Sequence, residues 1–129
     1  MSSADLIAPL YQNRNMALQT KRRDGTWVST PVHLVVDDDR IVFRTWASSG
    51  KAQRIRNFPD VRFAPSTLRG KPTGPQLRGR AHLLKGDAER HAADLIQAKY
   101  PLLQGIAVPF AHRMRHYETP HYEITDVEQ

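Results

Sequence analysis

The sequence of 129 residues contains no cysteine, which excludes disulfide bonds, zinc–thiolate sites and a thiol nucleophile. Its longest apolar run, from Gly105 to Ala111, is interrupted by Pro109 and is far shorter than the roughly 18 residues that a membrane-spanning helix needs. The first residues carry neither the basic region nor the apolar stretch of a secretory signal. These absences predict a cytoplasmic protein with no membrane segment.

What the sequence does contain is typical of a globular protein. Hydrophobic residues make up 40% of the chain, and it has seven glycines and nine prolines, so neither a disordered nor a fibrous chain is indicated. The length fits one domain with one core. We therefore predict a single domain that spans residues 1–129.

The positive charge is concentrated in the first two-thirds of the chain. Residues 1–84 contain fourteen Lys or Arg and six Asp or Glu, whereas residues 85–129 contain five and seven. A local basic excess attracts polyanions such as nucleic acid, acidic lipid headgroups or a phosphorylated cofactor, and it can equally be a solvated face. Composition alone does not choose between these interpretations.

Hydrophobic patterning predicts a mainly β chain (α+β). Strands are predicted where residues alternate or are rich in β-branched and aromatic types: 16–23, 26–36, 41–46, 61–67, 76–84 and 116–125. Asp24-Gly25 is a strong hairpin signal, so the first three strands are predicted to form an antiparallel meander. Helical spacing predicts short helices at 4–12, 48–57 and 87–100, while 102–115 is ambiguous. Six short strands in a chain of this size favour a six-stranded antiparallel β-barrel with short flanking helices.

The segment Arg44-Thr-Trp-Ala-Ser-Ser-Gly-Lys51 is the most informative for function. Arg44 and Thr45 lie at the end of a predicted strand. A helix is predicted to begin next, with Ser48 or Ser49 as its cap. The first amides of a helix lack internal partners and attract anions. Gly50 permits close approach to the backbone, and Lys51 and Arg54 share one helical face. The spacing predicts a phosphate site, unless this is a capped helix with solvated basic residues; it is not the Gly-rich loop of the P-loop nucleotide-binding proteins.

Ser29-Thr30-Pro31-Val32 is the second unusual feature. Proline within a strand removes a backbone donor and is usually confined to edges, bulges or strand starts. Either the neighbouring backbone and hydroxyl groups are free for a ligand, or this is an edge strand with no further role.

Side chains able to carry catalysis are not apparent in the sequence. His112, His116 and His121 lie close together in sequence, but no carboxylate completes a metal site with them, so we predict no metal. No serine lies in a nucleophile elbow and no general acid–base pair can be nominated. We therefore predict no catalytic side chain, and an enzyme of this sequence would need a bound cofactor.

The sequence resembles one family over residues 15–85. The resemblance rests on motifs that keep the family's order and spacing: the runs 20–32, 42–51, 54–57, 64–66 and 69–75, followed by Gly79 and Ala81. On these residues the chain is similar to the pyridoxamine 5'-phosphate oxidase-like proteins, and within them to the flavin/deazaflavin oxidoreductases of class B, often described as coenzyme F420-dependent reductases.

This resemblance implies a split β-barrel homodimer with two cofactor sites at the subunit interface. It implies that Ser29, Thr30, Pro31 and Val32 lie along the tricyclic ring of the cofactor. The residues that match the phosphate-binding pattern, with Arg54 close by, are Arg44, Thr45, Ser49, Gly50, Lys51 and Asn57. Pro75 and Gln76 would come from the other subunit and border the ring. The family often carries Trp where this chain has Gln76.

The activity implied is hydride transfer between reduced coenzyme F420 and an electron-poor organic substrate. The alternatives are an FMN-dependent oxidase or reductase of the same fold and a carrier protein that binds F420 or a flavin without catalysis. Arg22, Arg56 or Lys71 could favour the anionic tail of F420 over FMN. A nucleic-acid partner is not expected, since aromatic residues are sparse on the basic segments.

Overall fold

The structure is a computed structural model that describes residues 3–45, 49–100 and 120–129. The segment predicted to be ambiguous, 102–115, and the beginning of the strand predicted at 116–125 lie outside the described residues.

Seven strands form one antiparallel sheet in the described part of the chain, in the order β2-β1-β5-β6-β7-β4-β3. The strands are β1 Asn15–Lys21, β2 Trp27–His33, β3 Val35–Asp37, β4 Arg40–Arg44, β5 Asp60–Pro65, β6 Leu77–Leu83 and β7 His121–Glu128. The sheet curves into a half-barrel, and the fold is mainly β as predicted.

Three helices flank this sheet: α1 Ser3–Ile7, which a 3-10 turn at Ala8–Leu10 continues, α2 Gly50–Asn57 and α3 Gly86–Lys99. Their positions confirm the three predicted helices. None of the helices in the described ranges has the length and apolar character that crossing a membrane requires.

The predicted count of six strands is wrong, because the segment predicted as one strand at 26–36 is two. β2 pairs with β1, whereas β3 pairs with β4 near the opposite edge of the sheet. The two strands separate at Leu34, whose carbonyl oxygen accepts hydrogen bonds from the side chains of Lys99 and Tyr100 at 2.9 and 2.7 Å. The first three predicted strands therefore do not form a simple meander.

Two hydrophobic clusters lie on the two faces of the sheet. The inner cluster fills the half-barrel and includes the fully buried side chains of Leu18, Phe43 and Phe63. The outer cluster lies between α3 and the strands and includes Val42 and Ile96. Because side chains alternate along a strand, each residue's position relative to these clusters tells which face of the sheet it occupies.

The end of α3 holds the chain at the point where β2 gives way to β3. The Tyr100 hydroxyl lies 2.9 Å from the carbonyl oxygen of Arg14 and 2.7 Å from that of Leu34. Lys99 Nζ donates to the carbonyl oxygens of Asn13 and Leu34. Burial raises the pKa of Tyr100, so the hydroxyl stays a donor at physiological pH.

Replacing this hydroxyl should destabilise the fold. We expect Tyr100→Phe to lower the free energy of unfolding by about 1–2 kcal/mol, because the hydrogen bond that this hydroxyl donates to a backbone carbonyl is lost. Urea denaturation of the purified variant measures this loss. Tyr11→Phe is the matched control, since Tyr11 is 67% exposed and should change stability little. Equal losses in the two variants would contradict the role given to Tyr100.

Candidate anion-binding site

The start of α2 has the local geometry expected of an anion-binding helix terminus. Ser49 is the N-cap: its extended backbone precedes the helix, and its Oγ accepts a hydrogen bond from Ala52 N at 3.1 Å. The hydroxyl groups of Ser49 and Thr45 are also hydrogen-bonded, at 3.1 Å. The amides of Gly50 and Lys51 have no partner within the helix, as in any first turn. Of the two serines predicted as the cap, Ser49 is confirmed, and Ser48 lies outside the described residues.

Arg54 folds back along α2 toward the first residue of that helix. Its Nε donates to the Oγ1 of Thr20 on β1 at 2.6 Å. A Cβ atom added at Gly50 would lie only 2.6 Å from Arg54 Nη1. The glycine therefore leaves the space that the guanidinium group occupies at the start of the helix.

Three basic side chains influence one another here, and we call Arg22, Lys51 and Arg54 the cationic cluster. Burial lowers the pKa of Lys51 below its ordinary value, and Arg54 adds to this. Burial likewise lowers the pKa of Arg54, with a further contribution from Arg22. Among the described residues, no carboxylate lies within ion-pair distance of any member. An anion would relieve this repulsion and use the free amides of α2.

The cationic cluster lies next to β2, the edge strand of the described sheet. Thr20, which holds Arg54, pairs with Val28 on β2 in the strand register. Neighbouring strands are about 4.8 Å apart, and Ser29 to Val32 follow Val28 directly. The structure thus brings Lys51 and Arg54 to the same end of the molecule as the predicted ring-binding strand.

Pro31 does not interrupt β2, because its nitrogen faces away from β1. Arg22 N donates to Thr26 O at 2.8 Å and Leu34 N donates to Arg14 O at 3.3 Å. In an antiparallel ladder every second residue bonds the partner strand, so these bonds turn the even-numbered residues of β2 toward β1. Pro31 and Ser29 accordingly direct their backbone groups to the free edge. This is the edge position that proline tolerates.

A buried hydroxyl on this strand is also free of protein partners. Thr30 Oγ1 is inaccessible to solvent and has no hydrogen-bond partner among the described residues. Thr30 pairs with Leu18, whose side chain belongs to the inner cluster, so this hydroxyl lies on the inner face of the sheet rather than at its edge. The role of Ser29 to Val32 in ligand binding stays a prediction.

Two other predicted site residues, Arg44 and Asn57, do not lie at the first turn of α2. Arg44 is two residues after Val42 and so lies on the same face of β4, the face that α3 covers. It pairs with His121 on the neighbouring strand. Thr20 occupies the opposite, inner face. Asn57 is the last residue of α2, about 10 Å along the helix axis from Gly50. The part of Arg44 and Asn57 in ligand binding stays a prediction.

His121 is buried beside Arg44, opposite it in the pairing of β4 with β7. Its Nδ1 lies 3.5 Å from Glu89 Oε1. Burial lowers the pKa of His121 and Arg44 acts in the same direction, while Glu89 opposes both. No group of three or more metal-ligating side chains is found in the described ranges. His112 and His116 lie outside those ranges.

Pro75 and Gln76 are exposed and distant from Ser29 to Val32 within one chain. Leu77, the first residue of β6, pairs with Phe63 of β5, and Pro75 lies two residues before Leu77. Pro75 therefore lies near the start of β6, which is three strand spacings from β2. That separation is roughly 14 Å. The same loop nevertheless reaches β2 at Gly70, where a Cβ atom would lie 3.4 Å from Pro31 Cδ.

Thr20 is the site residue that sequence reasoning missed. It follows Met16 and Leu18 at alternate positions of β1, and all three side chains are fully buried. The sequence signal for Thr20 was a hydroxyl side chain at a position that alternates with apolar, inward-facing residues. A buried hydroxyl requires a hydrogen-bond partner, which indicates a polar contact at this position. Its partner, Arg54, lies 34 positions further along the chain, and the sequence alone does not connect them.

Two surface grooves lie elsewhere on the described part of the molecule. One, of about 360 Å³, lies between α2 and the paired ends of β6 and β7, and Arg56 and Tyr122 contribute to its lining. The other, of about 350 Å³, includes Trp27 and Arg62, whose guanidinium carbon lies 4.2 Å from the indole ring centroid. Ser29 to Val32 line neither groove.

Comparison with solved structures defines the class of fold. The chain shares its fold with a candidate pyridoxamine 5'-phosphate oxidase from Listeria innocua, with a TM-score of 0.62, 14% identity, and coverage of 98% of this chain and 94% of that one. This is the split-barrel fold of the pyridoxamine 5'-phosphate oxidase-like proteins, as the resemblance implied. No protein-family model matches the chain, and a search of curated proteins gives no match.

Two further structures of the same fold carry descriptions of their ligands. An F420-H2-dependent reductase (FDR-A) has a TM-score of 0.58 and 15% identity, over 86% of this chain and 93% of that one. A FAD-binding protein from Mesorhizobium loti has a TM-score of 0.63 and 18% identity, over 100% of this chain and 90% of that one. At these identities the comparisons establish the fold, and function has to be argued from the site.

Proposed function

We propose that the protein is an F420-dependent oxidoreductase that transfers hydride between the reduced coenzyme and an electron-poor organic substrate. The observation that carries this proposal is the placement of Lys51 and Arg54 at the start of a capped helix, one strand away from the edge strand β2 of the described sheet, with no carboxylate of the described residues within ion-pair distance of either side chain. The shared fold with an F420-H2-dependent reductase supports the choice of coenzyme.

Each part of the site has a separate task in this proposal. The amides of Gly50 and Lys51, with the side chains of Lys51 and Arg54, hold the phosphate group of the coenzyme. The edge of β2 at Ser29 to Val32 lies along the ring and fixes its orientation toward the acceptor. The coenzyme supplies the redox chemistry, and the protein binds, orients and excludes water. No side chain is assigned a catalytic role.

A second copy of the chain is proposed to complete the site. Pro75 and Gln76 are exposed and roughly three strand spacings from β2 within one chain, and in this proposal they border the ring on β2 of another subunit. The proposed protein is therefore a homodimer with a small organic molecule as substrate, and sedimentation at several concentrations measures its oligomeric state.

FMN is the second candidate cofactor, because the cationic cluster does not include two of the basic residues predicted to favour the tail of F420. Arg56 lines a groove on another side of α2, and Lys71 lies in the loop before β6. Neither is among the charges that shift the pKa of Lys51 or Arg54. A cluster of three cations suits one terminal phosphate, as in FMN, as well as the phosphate of F420.

Titration with both cofactors tests the proposal. We expect F420 to bind more tightly than FMN, with an affinity that falls as salt rises, because its tail adds negative charges. Tighter and salt-insensitive binding of FMN would overturn the choice of F420. Turnover of an electron-poor acceptor with reduced F420 then separates an enzyme from a carrier that binds the coenzyme without catalysis.

A further inference from the structure

We infer that Thr20 is a positioning residue that fixes how Arg54 presents its guanidinium group to a phosphate. This inference rests on the proposed phosphate site and adds a residue that does not itself touch the ligand. Thr20 is fully buried in the inward row of β1, where its cross-strand neighbours are Val28 and Val61. Its hydroxyl is hydrogen-bonded to Arg54 Nε at 2.6 Å.

The hydrogen bond to Thr20 determines which donors of Arg54 remain for a ligand. A guanidinium group carries five N–H donors in a rigid plane, one of them on Nε. Since Nε is used by Thr20, the terminal Nη1 and Nη2 groups are left to face an anion end-on. Two parallel hydrogen bonds from these nitrogens match two oxygens of one phosphorus atom.

Gly50 leaves room for the other side of the same guanidinium group. Arg54 Nη1 lies where a Cβ atom of residue 50 would be, at a separation of 2.6 Å. Thr20 therefore holds the Nε side of the plane and Gly50 leaves room for the Nη1 side. The guanidinium lies over the helix terminus whose free amides face the same anion.

No carboxylate performs this restraint in place of Thr20. Among the described residues Arg54 has no ion-pair partner, and the charge that shifts its pKa, that of Arg22, is repulsive. An arginine side chain that is free to rotate has a large conformational entropy, which ligand binding would then have to restrict. The buried hydroxyl restricts it in advance, so removing that hydroxyl should weaken phosphate binding.

Substitution of Thr20 with inorganic phosphate as the probe tests this role. Thr20→Val keeps the shape of the side chain and removes the acceptor, while Thr20→Ser keeps the acceptor. We expect Thr20→Val to weaken phosphate binding about five- to tenfold and Thr20→Ser to restore most of the affinity. The readouts are the amide shifts of Gly50 and Lys51 and the Nε–H resonance of Arg54 in NMR titrations.

A matched control separates positioning from a general loss of stability. Thr125→Val removes another side-chain hydrogen bond, the one between Thr125 Oγ1 and His82 Nε2 at 3.0 Å, away from the cationic cluster. It should leave phosphate affinity unchanged. Thermal unfolding of each variant shows whether the folded population at the titration temperature is the same.

The outcomes distinguish this inference from the proposed function. Unchanged phosphate affinity in Thr20→Val, or failure of Thr20→Ser to restore it, overturns the role of Thr20 while leaving the cofactor proposal standing. Thr20-dependent phosphate binding in a protein that binds neither F420 nor FMN supports the inference and overturns the cofactor proposal. Absence of phosphate binding to the unsubstituted protein overturns the inference directly.

Discussion

Gly79→Ala is expected to lower the free energy of unfolding by about 2–4 kcal/mol, because the added methyl group meets a fully buried side chain and a backbone carbonyl of the neighbouring strand. A Cβ atom at this position would lie 2.6 Å from Ile124 Cγ2 and 2.9 Å from the carbonyl oxygen of Thr125. Both contacts are on β7, next to β6 in the sheet. Urea denaturation should show a lower midpoint with an unchanged slope.

The need for glycine here follows from an irregularity between β6 and β7. Arg78 pairs with Glu128 and Arg80 with Thr125, so β7 carries one residue more than β6 across this interval. Asp126, within the extra stretch, has a positive φ of 55°. Gly79 lies opposite this bulge, where atoms of β7 occupy the space that a side chain would need.

Gly50→Ala is the matched control for this prediction. Its added Cβ would also meet an atom at 2.6 Å, but that atom is the end of the flexible Arg54 side chain. Only the Nη1 end of this side chain has to shift, so we expect a smaller loss of stability for Gly50→Ala than for Gly79→Ala. Similar losses for both alanines would contradict the assignment of the Gly79 effect to the closely packed atoms of β7.

Features of the fold that depend on neighbouring residues could be predicted from the sequence. Asp24-Gly25 indicated a hairpin, and the structure has that turn, with Gly25 at a positive φ of 89°. The hydroxyl of Ser49 caps α2, and Pro59 follows the end of that helix. Such signals are readable because the groups that interact lie within a few positions of each other.

Features that depend on distant residues could not be predicted in the same way. The chain leaves β2 at Leu34 because Lys99 and Tyr100, more than sixty positions later, bond its carbonyl oxygen. Arg44 was grouped with Lys51 by sequence proximity, yet the two hydrophobic clusters decide which face of β4 it occupies. Local pattern suggested a phosphate site at the start of α2, and only tertiary packing determined which side chains meet there.

Lys51→Ala is expected to weaken cofactor binding by about 1–3 kcal/mol, a loss of roughly 5- to 150-fold in affinity. Lys51 is the second residue of α2, and its half-buried ammonium group lies within the electrostatic influence of Arg54. The substitution removes a charge-assisted contact to phosphate at a site with no carboxylate to compensate. Fluorescence titration with F420 and with FMN measures the change for each cofactor.

The pH dependence of binding identifies Lys51 as the source of this effect. Burial first, and Arg54 second, lower the pKa of Lys51 from 10.5. As the pH rises through this lowered pKa the side chain loses its proton, so the affinity of the unsubstituted protein for a phosphate should fall. A bound anion favours the charged form and raises the pKa again, so binding in this alkaline range takes up a proton.

Two variants show whether the charge itself is responsible. Lys51→Ala should bind weakly with no further decline over this pH range, because the titrating group is gone. Lys85→Ala removes an exposed lysine that precedes α3, and it should keep both the affinity and the pH dependence of the unsubstituted protein. If Lys51→Ala retained the alkaline decline, another group would control it and the phosphate contact assigned to Lys51 would be wrong.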